Sequence, residues 1–198
     1  MPRLIDHARR RRELAQAVWR VIARDGIAAV SVRTTAAEAG VSAGSLRHVL
    51  QSKDELLAAA MRLAIENVTQ RFLGAARAVG SIEVAVDWLS ELLPLDDVRR
   101  VEMQIQLALI AEAPAHPGLH TLRDEGYAGI REACRSVLAD GASHSTFRSS
   151  LDLDSETTRL HVLLDGLAFH LVDGSVTVTP DVARELLTQH LDLLAVHE

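Results

Sequence analysis

Side chains that can donate hydrogen bonds to an anion are concentrated in one short stretch of the sequence. Seven of them are our candidates for anion contacts, namely two arginines, a lysine, a histidine and three hydroxyl residues: Arg33, Thr34, Ser42, Ser45, Arg47, His48 and Lys53. Arginine and lysine bind phosphate groups, and arginine also hydrogen-bonds a guanine edge through two donors. Ala43 and Gly44 lie among these residues, and their small size would let the backbone approach a partner closely. The stretch predicts a surface that binds phosphates or base edges.

Two short helices are predicted to position these side chains. The first covers about 32–39 and ends at Gly40, and the second covers about 43–50. In the second helix Leu46 and Leu50 share one face, so the polar residues are left on the other. A short helix, a glycine turn and another short helix are typical of a helix-turn-helix, whose second helix fits the DNA major groove.

The segment SVRTTAAEAGVSAGSLRHVLQSKDELL, residues 31–57, resembles the DNA-binding helix-turn-helix of the tetracycline-repressor (TetR) family of transcriptional regulators. The resemblance implies that the chain binds double-stranded DNA and that Lys53 contacts the DNA backbone. Arg47 stands where the family usually has a phosphate-binding tyrosine, and an arginine there can bind a phosphate or read a guanine. Two further departures, Leu50 in place of phenylalanine and Thr35 at an aliphatic position, indicate a slightly different small core.

Charge is distributed unevenly along the chain, whose net charge is −6. Residues 1–53 hold ten Lys/Arg against four Asp/Glu, for a net charge of +6, and residues 54–198 carry −12. A basic head on an acidic body favours a nucleic-acid-binding module joined to a part with another task. The run Arg9–Arg12 is expected to precede the first helix, either as an arm that reaches phosphates or a minor groove or as a solubilising cluster.

The composition predicts an all-α protein of about nine helices. Of the 198 residues, 48% are apolar but only 3% are aromatic, which suits helices packed on helices. An N-terminal three-helix domain with the helix-turn-helix is expected over residues 1–53, and a helical ligand-binding and dimerisation domain over 54–198. Apart from 32–39 and 43–50, helices are predicted over about 11–25, from 53 towards the Gly74–Gly80 region, and over 81–93, 96–113, 119–138, 153–172 and from 180 onward. The polar stretch DGASHSTFRSSLD, 140–152, is expected to be the least ordered loop.

The last two predicted helices bear a second resemblance. Residues 160–174, LHVLLDGLAFHLVDG, and the following TPDVARELLTQHLDLL are similar to the C-terminal helices of TetR regulators of the choline and betaine type, which implies a homodimer. Apolar residues on more than one side of the eighth helix support a dimer, because such a helix needs more than one packing partner. The interface candidates are the leucines Leu160, Leu164, Leu167, Leu171, Leu187 and Leu191. The resemblance also implies a pocket for an unknown small-molecule effector, with the candidates Trp88, Met103, Gln106, Arg123, Tyr127 and Phe169.

Other classes of function find little support in the sequence. No nucleophile elbow, HExxH motif, phosphate loop or dinucleotide fingerprint occurs, so an enzyme is not expected. Cys134 is the only cysteine and the histidine spacings match no metal signature, so we expect no disulfide, metal or cofactor. No apolar run reaches the roughly 18 residues of a membrane span, and a cytoplasmic location is expected. The predicted function is a repressor that a ligand releases from a pseudo-palindromic operator, and an activator or a regulator without a small-molecule ligand stays an alternative.

Overall fold

A computed structural model describes residues 2–174 and 176–196, with side chains described from His7 onward. Within these residues the chain is helical and has no β-strand beyond one isolated bridge, which confirms the predicted all-α fold. The helices are α1 Pro2–Asp25, α2 Val32–Glu38, α3 Ala43–Arg47, α4 Lys53–Gly74, α5 Ile82–Ser90, α6 Asp97–Glu112, α7 Pro117–Ser143, α8 Leu153–Asp173 and α9 Pro180–Asp192. In this part of the chain no helix combines the length and the apolar character that a bilayer crossing requires.

The helices divide into two compact units. The first contains the residues up to Asn67 together with Gln104–Gly126, and the second contains Val68–Met103 together with the residues from Tyr127 onward. Helices α4, α6 and α7 each contribute residues to both units. The first unit is therefore larger than a three-helix domain. The sequence-based boundary between residues 53 and 54 separates DNA binding from ligand binding, and it stays a prediction.

The core of the first unit is built from α1 to α4 and from the ends of α6 and α7 that belong to it. Leu14 of α1 and Leu46 of α3 pack in one buried cluster with Leu109 of α6 and Leu119 of α7. Ala36 of α2 is buried in the same cluster, as expected where two helices cross closely. The helix-turn-helix therefore rests on residues far away in the sequence.

Serine caps and glycine turns set the limits of the helices in the first unit, largely as predicted. Ser31, Ser42 and Ser52 each accept a hydrogen bond from the backbone N–H three residues later, at 3.1 to 3.2 Å. Gly26 and Gly40 follow α1 and α2 with φ values of 80° and 66°, in the left-handed region that favours glycine.

Helix α3 ends at Arg47, three residues earlier than predicted. The N–H of Val49 donates to the carbonyl of Leu46, only three residues back, at 2.9 Å. A tighter turn therefore replaces the last predicted turn of the helix.

Helix α1 begins at Pro2, well before its predicted start at Arg11. The run Arg9–Arg12 therefore lies inside a helix and does not form a separate arm ahead of it. Arg9 and Arg10 each form an ion pair with Glu13 on the same helix, at 3.8 and 3.2 Å. These ion pairs partly neutralise the positive charge of the arginine run, which the sequence analysis considered as a possible DNA-binding arm.

Helices α1 and α4 pack antiparallel to each other. Arg12 of α1 forms an ion pair with Glu66 near the far end of α4 at 3.3 Å, whereas Trp19 donates to the carbonyl of Ala60 at 3.0 Å. Glu66 lies about 20 Å along the helix axis from Lys53, the first residue of α4. The N-terminal arginine run is thus remote from the predicted DNA-contacting lysine.

The core of the second unit lies between α5, α7, α8 and α9. Trp88 of α5 stacks on Phe72 of α4 with ring centroids 4.9 Å apart, and its Nε1 donates to the Phe72 carbonyl at 2.9 Å. Arg184 of α9 binds Asp87 and donates to Ser90 Oγ of α5. Stacking and hydrogen bonding together hold α5 in place.

The segment 140–152 is not the open loop that its polar composition predicts. Helix α7 continues to Ser143, and the side chain of Phe147 is 1% exposed. The Phe147 ring lies so close to Gly141 that a Cβ there would collide with it. Backbone hydrogen bonds of 3.0 and 3.1 Å join the segment to residues 194–196 after α9. The prediction was wrong because the partners that order this loop are distant in the sequence.

Candidate nucleic-acid interface and effector-binding residues

Helix α3 has one buried face and one exposed face. Leu46 of α3 is completely buried, as is Leu50 just beyond the helix, and Ala43 is half-buried. The exposed residues of this helix and its C-terminal cap are Gly44, Ser45, Arg47 and His48. The surface left open is thus the one on which the sequence places its candidate base-contacting residues.

Two of the candidate hydroxyl groups already stabilise helix starts. Thr34 Oγ1 donates to the carbonyl of Ala29 at 2.7 Å and accepts from the N–H of Ser31 at 3.0 Å. Ser42 Oγ accepts from the N–H of Ser45. Substitution of Thr34 or Ser42 would therefore change the fold as well as any contact with DNA.

The cations of the helix-turn-helix have no partner among the described residues. Arg33, Arg47 and Lys53 form no ion pair and no side-chain hydrogen bond with any described residue. The only other described cations in this state are Arg11 and Arg62, which also belong to the first unit. In the described second unit each arginine binds a carboxylate or a carbonyl, namely Arg71, Arg77, Arg99, Arg100, Arg131, Arg135, Arg148, Arg159 and Arg184. Positive charge that is free to meet an anion is therefore concentrated in the first unit.

The first turn of α4 is tied to the end of α6 by a histidine. Asp54, next to Lys53, has Oδ1 2.8 Å from Nδ1 of His116, and Nε2 of the same ring is 3.4 Å from Glu112. All of these residues belong to the first unit. Sequence reasoning missed this link because 62 residues separate its two ends.

Four of the six predicted effector contacts belong to the second unit. Trp88 is buried in its core, and the half-buried Met103 packs against that core. Tyr127 and Phe169 are 57% and 56% exposed, so these two lie at the surface.

The other two predicted effector contacts, Gln106 and Arg123, belong to the first unit. Gln106 is half-buried. Arg123 donates to its neighbour Asp124 at 2.7 Å, and this hydrogen bond lowers the pKa of the Asp124 carboxyl. Arg123 thus has a partner within the chain.

A charged cleft of about 370 Å³ opens in the second unit, and none of the six candidates lines it. Its lining residues are Ala75, Arg77, Asp87, Ser90, Glu91, Leu95, Asp96, Arg99 and Arg184. The charges pair with one another. Asp87 accepts from Arg184 and Arg77, so its pKa is lowered, chiefly by the hydrogen bond from Arg184. Arg99 is held between Glu91 and Asp96 at 2.9 and 3.0 Å. A ligand would have to displace these internal pairs.

Tyr127 lies beside polar side chains of α8 that sequence reasoning did not single out. Its ring centroid is 4.5 Å from that of His161, and Asp165 is one helical turn further along. Burial raises the pKa of Asp165, against the lowering effects of His161 and of a hydrogen bond with Tyr127. The spacing of four residues from Thr157 to His161 to Asp165 was the signal in the sequence.

The single cysteine lies in the same unit, on α7. Cys134 is completely buried, and burial raises the pKa of its thiol to about 12. The thiol is therefore protonated at neutral pH and is a poor nucleophile.

The six leucines predicted for a dimer interface are buried inside this chain. Each is at most 4% exposed and packs in the core of the second unit. A completely buried side chain offers no surface to a partner. The apolar residues of α8 that do reach the surface are Val162, 63% exposed, and Phe169.

Comparisons with known proteins cover nearly the whole chain. Residues 14–60 match the family described as bacterial regulatory proteins of the tetR family. Residues 82–196 match the family described as the C-terminal part of BetI-type transcriptional repressors. The two matches together include the helix-turn-helix and most of the second unit.

Individual relatives agree with these matches. The transcriptional regulator PksA of Bacillus subtilis (strain 168) is 35% identical over all of this chain and 96% of its own length. The nicotine-responsive transcriptional repressor HdnoR of Paenarthrobacter nicotinovorans is 25% identical over 92% of this chain and 94% of its own length. A putative transcriptional regulator from Saccharomonospora viridis, solved in complex with choline, has the same fold, with a TM-score of 0.82 at 24% identity over 96% of this chain and all of that one.

Proposed function

The chain belongs to the TetR family of bacterial transcriptional regulators, and on that premise we propose that it is a homodimeric repressor that a small organic molecule releases from a pseudo-palindromic operator. DNA binding follows from the family. The dimer, the operator symmetry and the release by an effector are the proposal. Each of these parts is supported by a different feature of the chain.

The absence of partners for Arg33, Arg47 and Lys53 within the described residues carries the DNA-binding part. An arginine already paired with a carboxylate must break that pair to neutralise a phosphate, whereas an unpaired one does not. If each of these cations in a dimer met one phosphate, six counterions would leave the DNA. The logarithm of the affinity should then fall with the logarithm of salt concentration with a slope of about −5.

Selection of bound sequences from a pool of genomic fragments tests the operator. We expect a pseudo-palindrome whose half-sites are centred about one helical turn of DNA, or a multiple of it, apart. Enrichment of no sequence over random duplex at moderate salt would contradict the proposal. Genes beside the selected site would then indicate the class of effector.

Substitution of single cations tests the surface. We expect Lys53→Ala to weaken binding to all sequences alike and to make the salt slope less steep, because a phosphate contact is lost.

Arg47→Ala should weaken operator binding. If the Arg47 side chain reads a guanine, the variant should also lose its preference for guanine at one base pair of the operator. Arg62→Ala is the matched control, since Arg62 is also unpaired but lies about 14 Å along α4 from Lys53. An unchanged footprint and affinity for Arg47→Ala would remove this residue from the interface.

Exposed apolar residues on α8 support the homodimer. Val162 and Phe169 are largely exposed, and a Cβ placed on Gly166, between them in sequence, would meet no atom of the chain within 4 Å. Val162 and Phe169 lie about two turns apart on one face of the helix, and such exposed apolar residues are typical of a surface that a second molecule covers. A symmetric dimer would also present two recognition helices to two half-sites.

Relatives support the release by an effector. HdnoR is named for its response to nicotine, and the Saccharomonospora viridis regulator was solved with choline. For this chain a thermal-shift screen of small molecules is the test, because a ligand that binds only the folded state raises the melting temperature. A compound that raises it should also release the operator in a mobility-shift assay. If every stabilising compound leaves the operator complex unchanged, the repressor is not of the ligand-released kind.

A further inference from the structure

Helix α8 carries two buried polar atoms that have no hydrogen-bond partner. Thr157 is completely buried and His161 is 4% exposed. Neither Thr157 Oγ1 nor His161 Nε2 has a partner among the described residues. Buried polar groups that give up water without gaining a hydrogen bond are unfavourable and uncommon. Since the two residues are one helical turn apart, they lie on the same face of α8.

Asp165 continues this face by one more turn and lacks a strong cationic partner. Its Oδ2 is 3.6 Å from His161 Nε2, which is too far for a hydrogen bond. Partial burial raises its pKa, yet the Asp165 side chain is 43% exposed, so a cation from solution can reach the carboxylate. Arg131 and Arg135, on the neighbouring α7, pair with Asp154 instead, at 3.8 and 2.6 Å.

An aromatic pair stands beside the carboxylate. The Tyr127 ring is tilted by 51° against the His161 ring, and Tyr127 is 57% exposed. The face of an accessible aromatic ring attracts a cation. Tyr127, Thr157, His161 and Asp165, here called the α7–α8 polar site, all belong to the second unit.

We propose that the α7–α8 polar site binds a protonated organic amine that carries at least one N–H. The carboxylate of Asp165 supplies the opposite charge, and the Tyr127 ring supplies a cation–π contact. Thr157 Oγ1 has no partner and can accept an N–H donor, and the His161 ring one turn away presents a second unpartnered polar atom, Nε2. A quaternary ammonium has no N–H and would leave Thr157 Oγ1 unpaired.

This inference rests on the proposed effector response and names the chemistry of the effector. The site discriminates between amines by hydrogen bonding, and a missing donor at a buried acceptor lowers affinity strongly. A tertiary amine in its protonated form and its N-methylated counterpart have the same charge. They differ in that a methyl group replaces the N–H, so the comparison tests whether the site needs the donor.

Calorimetric titration of the full-length protein without DNA, at neutral pH, tests the proposal. The probes are benzyldimethylamine and benzyltrimethylammonium, and the uncharged control is neopentylbenzene. We expect the protonated tertiary amine to bind at least tenfold more tightly than the quaternary ion, and the uncharged compound to bind no better than the quaternary ion. Equal affinities, or no detectable binding of benzyldimethylamine up to 10 mM (roughly 3 kcal/mol of binding free energy), would overturn it.

Two variants place the binding at this site. Asp165→Asn keeps the shape and removes the charge, and should weaken amine binding at least tenfold. Asp173→Asn, an exposed aspartate at the end of the same helix, is the matched control and should leave it unchanged. Thr157→Val removes one acceptor without a change of shape, and it keeps the test valid if Asp165→Asn does not fold. Wild-type affinity in a folded Asp165→Asn or Thr157→Val protein would overturn the assignment.

The outcome for this site is separable from that for the repressor. If the amine binds as expected but does not release the operator, the polar site stands and ligand-controlled release fails. If the protein binds no operator at all, the calorimetric comparison still decides whether the polar site recognises an N–H cation.

Discussion

Neither the backbone conformation nor a neighbouring atom of the chain requires a glycine at position 44. Its φ is not positive, and a Cβ there would meet only Ser42 Oγ, at 3.9 Å. Glycine inside a helix is about 1 kcal/mol less favourable than alanine. Gly44 also lies on the exposed face of α3, so we expect the open space beside it to be where the helix approaches DNA.

Gly44→Ala should therefore have opposite effects on stability and on binding. We expect the free energy of unfolding to rise by up to about 1 kcal/mol while operator affinity falls at least tenfold, because the added methyl group keeps the helix from the groove. Chemical denaturation and fluorescence anisotropy measure the two quantities.

Gly129→Ala is the control for that experiment. Gly129 is an exposed glycine on α7 with no atom within 4 Å of a Cβ, so the same substitution should stabilise the protein and leave operator affinity unchanged. An unchanged affinity for Gly44→Ala would show that the helix does not approach DNA at this residue.

At the scale of elements, local signals in the sequence predicted the starts of α2, α3 and α4 well, but the start of α1 and the long loop poorly. The serines before α2, α3 and α4 cap these helices because capping needs only a hydroxyl and an N–H three residues later. Segment 140–152 has the polar composition of a loop, yet Phe147 is buried and the backbone pairs with the residues after α9. Contacts between residues about fifty positions apart leave no local pattern.

The contact between Phe147 and Gly141 makes a prediction at this scale. Gly141→Ala should lower the free energy of unfolding by about 1 to 3 kcal/mol, because a Cβ would collide with the Phe147 ring and force it to move. Thermal or urea denaturation is the measurement. Gly129→Ala, the same change on the same helix, should instead be stabilising. If Gly141→Ala were stabilised as well as Gly129→Ala, the Phe147 ring would be able to move aside without loss of stability.

At the scale of the whole molecule, periodicity identified the apolar stripes of α8 and α9 but not what they contact. A leucine repeat indicates that one face of a helix is buried. The pattern does not distinguish burial in the chain's own core from burial against a second copy of the chain. The six leucines proved to be covered by the chain itself. The exposed face of α3 was better predicted, since the pattern of buried and exposed residues repeats within one short helix. Contact of this face with DNA stays a prediction.

The exposed face of α8 yields a prediction about assembly. Phe169→Glu should convert a dimer to a monomer and lower operator affinity at least a hundredfold, because one recognition helix then binds alone. Light scattering after size-exclusion chromatography gives the mass. Val98→Glu on α6, where the valine is 72% exposed, is the matched control and should stay dimeric. A dimeric Phe169→Glu protein would place the interface elsewhere.

The shared core of the first unit limits how this regulator can recombine with others. Leu109 and Leu119 pack with Leu14 and Leu46, although they come from helices that continue into the second unit. A gene fusion that transferred residues 1–53 alone would leave those side chains against a foreign surface. We therefore expect new pairings of operator and sensor to arise by point substitution on α3 rather than by exchange of whole heads.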